Sequence, residues 1–386
     1  MIKQIRPYHL ILLLTVLCCR KPYTPKVIEV DYSYLVINGV INVGNNVTTI
    51  IQLSRTQRLT DTAISNPESG ASVMIEAQSG NRYALAATAN GTYESAPLTL
   101  NATTTYRLRI TDKNGDTYSS DYVAVKQTPP VDSVSWKQDT TAAGKNAVTI
   151  YVHTHDPSNN TKYYRWDYVE TWQYHAPLDG SWALLNGRTI YYLDTWQHLY
   201  YCYGTIYSPN ISTATSANLS QDVISYVPVN KIEQDAYKLM LRYSINVKQY
   251  GLTKEAYDYW QLLEKSSQQT GSIFDPQPAQ LKGNIHCENI PGKPVLGYAS
   301  ASAVTEKRIF IDNRELWHWK SMALPNLECK LGVTSQDPVD FTRYNYFDTT
   351  WGPFFYASGG GLVIAKKDCL DCRRYGGDTT KPAFWR

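Results

Sequence analysis

The chain of 386 residues lacks a charge surplus: 37 Lys and Arg stand against 34 Asp and Glu, a formal +3. Two of those basic residues, Lys3 and Arg6, fall in a leader-like segment, which brings the balance of the remainder closer to zero. The broad positive field of a nucleic-acid-binding protein is therefore missing, and no nucleic-acid partner is expected. Beyond the first twenty residues no apolar run approaches the ~20 residues that a spanning helix requires. Standard catalytic signatures are absent too. There is no G-x-S-x-G, S-x-x-K or H-E-x-x-H, and Gly359-Gly360-Gly361 is not followed by the Lys-Ser/Thr of a phosphate-binding loop. No catalytic residue, cofactor or metal is expected on these grounds. Phe and Met are scarce, at 7 and 4, whereas Tyr and Trp number 31 and 10. Rings with polar edges suit strands and hydrated binding surfaces better than a large helical core.

What is present begins at the N-terminus. "MIKQIRPYHLILLLTVLCC" carries a short basic stretch, an apolar run from Leu10 to Leu17 and paired cysteines, the layout of a secretory signal. Its end has lipobox spacing, with Val16 three places before Cys19 and the small Cys18 just before it. Cys18 fits that register less well, because Leu17 would then sit at the cleavage position. The reading is a lipoprotein signal peptide over 1–18, lipidation at Cys19, and a polar tether over 19–30 that contains Pro22 and Pro25. Such a chain has the lipid membrane as a partner, through an acyl anchor and without spanning it.

From Tyr32 the sequence alternates in strand fashion through "YLVINGVINV", "VTTIIQLSR", "ASVMIEAQSG" and "YRLRITDKNGDTYSSDYVAV", with turn signals between, Asn114-Gly115 the strongest. Residues 31–128 are predicted to form a β-sandwich of immunoglobulin-like or transthyretin-like type. "TPPVDSV" breaks the pattern, and 129–386 is predicted to be a second, β-rich domain ending in a CxxC tail. One clear helix stands out at about 253–269. Thr253 is its N-cap, Ala256, Tyr259, Trp260 and Leu263 have helical spacing, and Gly271 follows as a stop. The fold class is mainly β.

The ordered strings "SGASVMIEAQSGNRYAL", "DPSNNTKYYRWDY", "LTKEAYDYWQLLEKSSQQTGSIFDPQPAQLKGNIH" and "CLDCRRYGGDTTKPAFW" resemble the Bacteroidota outer-membrane lipoproteins of the family called domain of unknown function 4249. The resemblance runs from the lipobox to the last residues. It implies an outer-membrane lipoprotein with an immunoglobulin-like N-terminal domain, often encoded beside a TonB-dependent receptor, and with no assigned catalytic residues. Arg20-Lys21-Pro22 departs from the acidic run associated with surface export and leaves the periplasmic and cell-surface faces both open.

Three groups of residues are candidates for function. His153 and His155 in "HTHD" point to one face of a strand, as two metal ligands would, but no third ligand sits at suitable spacing. The blocks "YYRWDYVETWQY" and "YYLDTWQHLYYCYGTIY" offer Trp166, Trp172, Tyr174 and Trp196 as ligand-stacking rings, against the alternative that one face of each strand is core. Beyond the leader the cysteines are Cys202, Cys287, Cys329, Cys369 and Cys372, an odd number. In an oxidising compartment Cys369 and Cys372 are expected in a disulfide, either with each other or from one of them to Cys329 or Cys202. The expected function is a non-enzymatic ligand-capturing subunit of a TonB-dependent nutrient uptake system. A stand-alone carbohydrate- or peptide-binding surface protein and a hydrolase without a standard motif are the alternatives.

Overall fold

The computed structural model describes residues 33–57, 66–140, 144–180, 182–185, 189–192, 199–234, 236–268, 282–319, 324, 329–333, 350–358 and 360–386. Their architecture is mainly β, as expected. The signal segment, the tether, Cys19 and Trp196 lie outside the described residues.

The first unit shows how alternation becomes a core. Strand Thr105–Thr111 buries Tyr106, Leu108 and Ile110 and turns the residues between them outward. In register across the sheet, Ala77, Ile75 and Val73 of Ser72–Ala77 meet those three residues on the buried face. Leu35 and Ile37 of Leu35–Gly39, Ile51 and Leu53 of Ile50–Arg55, and Tyr93 of Thr92–Ser95 join the same cluster. A guanidinium is held among carboxylates at its edge: Arg55 bonds Glu68 at 2.7 Å and Asp112 at 2.6 Å, all three largely buried.

Residues 33–128 do not complete this 12-stranded sheet alone. Ile285–Cys287 pairs antiparallel with Thr117–Ser120, and Val295–Leu296 pairs parallel with Leu35–Gly39. Ala301–Ser302 slots in parallel between Ile41–Asn42 and Val123–Lys126. Ile285, Cys287, Ala299 and Ala301 are buried in the N-terminal core. The close approach relies on Gly297, at φ +136°, where an added Cβ would lie 2.4 Å from the Ile37 carbonyl oxygen.

The second unit is a pair of packed sheets. Val131–Thr140, Asn146–Asp156 and Asp222–Glu233 form one. Tyr201–Tyr207, Tyr163–His175, Arg242–Gly251 and Thr305–Asp312 form the other, with Ser212–Thr215 extending the edge beside Tyr163–Trp166. Val148, Ile150 and Val152 face Trp166, Tyr168, Tyr243, Ile245 and Val247 across one apolar layer. Within that layer the Glu170 carboxylate accepts from the Tyr243 hydroxyl at 2.7 Å and from the Asn230 amide at 3.1 Å, and it pairs with Lys238.

The helix spans Lys254–Gln268, within the predicted bounds. The Thr253 hydroxyl accepts from the Ala256 N–H at 3.2 Å, as an N-cap should. Ala256, Tyr259 and Trp260 are buried with Tyr250 and Leu252 of the second unit and Val40 of the first. The helix is thus the wedge that joins the two units.

The CxxC cysteines do not bond each other. Cys372 is joined to Cys202 and Cys369 to Cys329, so adjacent tail positions are fastened to two distant segments. Cys287 is free and buried. The tail is further held by main-chain bonds in both directions between Tyr203 and Asp378, at 2.7 and 3.0 Å. Trp385 is buried edge-on against Tyr203 and Phe310, while Phe384 is partly exposed beneath the Arg308 guanidinium.

Candidate functional site

Strand Tyr163–His175 carries the candidate rings, and its two faces have separate fates. Trp166, Trp172 and Tyr174 point into the layer between the sheets and are 1%, 7% and 0% exposed. The Trp166 indole donates to Gln249 Oε1 at 2.8 Å, and the Tyr174 hydroxyl donates to the Cys372 carbonyl at 2.8 Å. These three rings are core, which corrects the expectation that they stack on a ligand. No face of them is left for one.

The opposite face holds Arg165 and Asp167, which the sequence reading passed over. Arg165 Nη2 bonds Asp167 Oδ2 at 2.9 Å, and the Tyr250 hydroxyl donates to Asp167 Oδ1 at 3.1 Å. Burial, and then the adjacent Asp167 carboxylate, push the Tyr250 phenol well up, so it remains a donor. The Arg165 guanidinium carbon lies 4.7 Å from the Tyr250 ring centroid and 4.1 Å from that of Trp260. Two flat rings on a flat cation give a rigid, cation–π stabilised arrangement.

This cluster lines a cavity of about 590 Å³ between the two units. Its first wall is Val36 to Asn38 and Gln52 to Ser54 of the N-terminal sheet, with Asn90 to Thr92 and Gly297. Its second is Arg165, Asp167, the loop Ser208 to Ile211, and Tyr259, Trp260 and Leu263 of the helix. A smaller cavity of about 220 Å³ continues past Arg165 and Asp167 toward Lys248 and Tyr207. The first volume lies within the range of small-molecule sites, and a junction between units is a usual place for one.

The wall is polar in a particular way. Asn38 and Gln52 face each other in register on the outer surface of their sheet, amide to amide at 3.3 Å. Asn90 and Asn210 contribute two more exposed amides. Arg165 Nε and Nη1 and Trp260 Nε1 are buried N–H donors with no acceptor. Buried donors are almost always paired, and leaving one unpaired costs about 1–3 kcal/mol. These three nitrogens are sealed within the packed Arg165, Tyr250 and Trp260 side chains and do not open on the cavity.

A second polar cluster has a different character. Ser135 Oγ lies 2.8 Å from His153 Nε2, the spacing of a nucleophile and its base. The other ring nitrogen, Nδ1, accepts the Tyr226 main-chain N–H at 3.4 Å. His155 is engaged elsewhere, with its Nδ1 2.8 Å from Asp132, so the two histidines do not converge on a common point.

The described residues thus form a mainly β chain of two units with a polar cleft at their junction. The chain belongs to the family described as domain of unknown function (DUF4249), whose model matches residues 20–308. No curated protein matches it. Among solved structures it is similar to a DUF4785 family protein from Legionella pneumophila, at 10% identity, 55% coverage of this chain and 51% of that one, with a TM-score of 0.17. It therefore spans about half the length of that relative. It is also similar to a two-domain fibronectin type III segment of chicken tenascin, at 13% identity, 55% and 89% coverage and a TM-score of 0.15. Scores at that level carry no argument about fold or function.

Proposed function

We propose that this protein is a non-enzymatic, lipid-anchored ligand-capturing subunit at the outer membrane, serving a TonB-dependent nutrient receptor. The observation that carries the reading is the cleft between the units, with its fixed Arg165–Asp167 pair and four amides. A capture protein needs a preformed polar recess, and the cleft is one. The lipobox at Cys19 supports anchoring, and the resemblance to receptor-linked lipoproteins supports the partner.

Gentle solubilisation of membranes that carry a tagged chain should bring down a large outer-membrane barrel. Recovery of the chain as a lone monomer overturns the receptor role. The cleft is enclosed by a single chain, so the second reading, a stand-alone carbohydrate- or peptide-binding surface protein, would survive that outcome. Cys19→Ala should release the chain from the membrane fraction, and its continued retention would overturn the anchor.

A further inference from the structure

We infer that the cleft binds an uncharged oligosaccharide, with the amides of Asn38, Gln52, Asn90 and Asn210 reading its hydroxyls and Tyr207 stacking on a ring at the mouth. The inference rests on the proposal that this cleft is the capture site and adds the chemistry of what is captured.

The charges at the cleft are spent on one another. Arg165 is buried and bonded to Asp167. Lys248, on the wall of the smaller cavity, stands in register between Asp167 on one neighbouring strand and Glu306 on the other. Two cations thus meet two carboxylates on one face of the sheet, and an incoming acid or amine finds no surplus of the opposite sign.

What remains open to a ligand is neutral and accessible. Asn38, Gln52, Asn90 and Asn210 are all exposed. The single bond from Asn38 Nδ2 to Gln52 Oε1 leaves the Asn38 amide oxygen and the Gln52 amide nitrogen without a partner among the described residues. The amides of Asn90 and Asn210, on opposite walls, have none there either. Asn38 and Gln52 line both cavities, so their pair sits where the two meet. Each amide presents donors and an acceptor side by side, and a sugar hydroxyl, itself donor and acceptor, uses both. A carboxylate only accepts and an ammonium only donates, so either would use half of each amide. Between the amides lie the half-buried Val36, Ile211, Leu263 and Leu296, apolar surface for the C–H faces of a sugar ring. Tyr207, 70% exposed on the wall of the smaller cavity, adds a flat ring at the open end. A peptide held by strand addition would need a free edge, whereas Leu35–Gly39 beneath the cleft has a strand on each side.

The full chain in mild detergent can be applied to an array of neutral glycans, acidic glycans and short peptides, and then titrated calorimetrically with the neutral glycan of strongest signal. Binding is expected on neutral glycans. Gln52→Ala should weaken it about fivefold and Tyr207→Ala by about threefold to tenfold. Both side chains are exposed, so neither variant should shift the unfolding curve. Acidic glycans bound as well as neutral ones overturn the uncharged ligand, and peptides bound in place of glycans overturn the saccharide. Glycan binding that both variants leave unchanged lies elsewhere on the chain and overturns the cleft as its site. A blank array beside a co-purified barrel overturns the saccharide and leaves the receptor role standing, whereas a chain recovered alone that binds neutral glycans loses the receptor role and keeps this inference.

Discussion

Cys202 and Cys372 are 170 residues apart in sequence, and their Cα atoms lie 5.7 Å apart, joined by a disulfide. Next to it Cys369 reaches back only 40 residues, to Cys329. The tail is thus fastened at two points, one to an edge strand of the second unit and one to a nearby segment. Gly377 lies so close to this junction that an added Cβ would sit 3.0 Å from the Cys202 Cβ and closer still to the Tyr174 hydroxyl.

The two disulfides should differ in worth. In the chain-entropy description a cross-link stabilises by restricting the unfolded chain, by about 3–5 kcal/mol for loops of this size. The dependence is logarithmic, so replacing Cys202 and Cys372 with Ala should cost about 1 kcal/mol more than replacing Cys329 and Cys369. Urea unfolding of both double variants tests this. Equal losses would mean that packing around the sulfurs, and not loop closure, sets the cost.

The tail should be part of the second unit's stability. Trp385 is 5% exposed and packs edge-on against Tyr203 and Phe310, at 5.2 and 5.6 Å between ring centroids. Trp385→Ala should destabilise by about 3 kcal/mol, in the range of buried large-to-small changes. Removal of the residues after Lys381 should do at least as much. A thermal unfolding curve left unchanged by either would show that the observed docking contributes nothing.

Strands and the helix were legible in the sequence because each carries its own period. Thr105–Thr111 alternates and Lys254–Gln268 repeats at helical spacing, so both could be read locally. Val295–Leu296 and Ala301–Ser302 are two residues long and have no period to read. They become strands only because the first unit has open edges that they cover. Strand Tyr163–His175 misled for another reason: it is covered on both faces, so Tyr164, Arg165 and Trp166 are buried in succession and alternation no longer separates core from surface. The polar pair Arg165 and Asp167, two apart within an aromatic run, was the available signal. The cleft itself was not legible, since its walls come from segments joined only by the fold.

Gly204 should be intolerant of any side chain. It lies opposite Trp172 in register, and an added Cβ would come within 2.5 Å of the indole ring. Gly204→Ala should cost about 1–3 kcal/mol through overpacking. Trp172→Phe in the same chain should recover part of that loss, since the smaller ring vacates the contact. The measurement is a double-mutant cycle in unfolding free energy; additive losses would show that the two positions do not compete for space.

The turn after Asn146–Asp156 should impose an acid limit on stability. Asp156 Oδ1 accepts the Ser158 N–H at 2.9 Å and its hydroxyl at 2.6 Å, and Oδ2 accepts the N–H groups of Asn160 and Thr161 at 3.0 and 2.8 Å. Burial alone would raise this carboxyl, but the Ser158 hydroxyl and the three main-chain donors outweigh it and hold it at about 2, against an ordinary 3.8. The folded value is the lower one, so the unfolded chain takes up the proton first as pH falls. The stabilisation is therefore complete above about pH 4 and is lost progressively down to about pH 2, with roughly 2 kcal/mol at stake. Asp156→Asn keeps the shape but turns one acceptor into a donor facing other donors. It should lower stability at neutral pH and flatten the acid limb between those two values. Asp312, which the Arg314 side chain likewise holds at about 2, should account for part of the slope that remains. Urea unfolding across that pH range measures both effects, and an acid limb in Asp156→Asn as steep as in the unmodified chain would show that this turn does not set it.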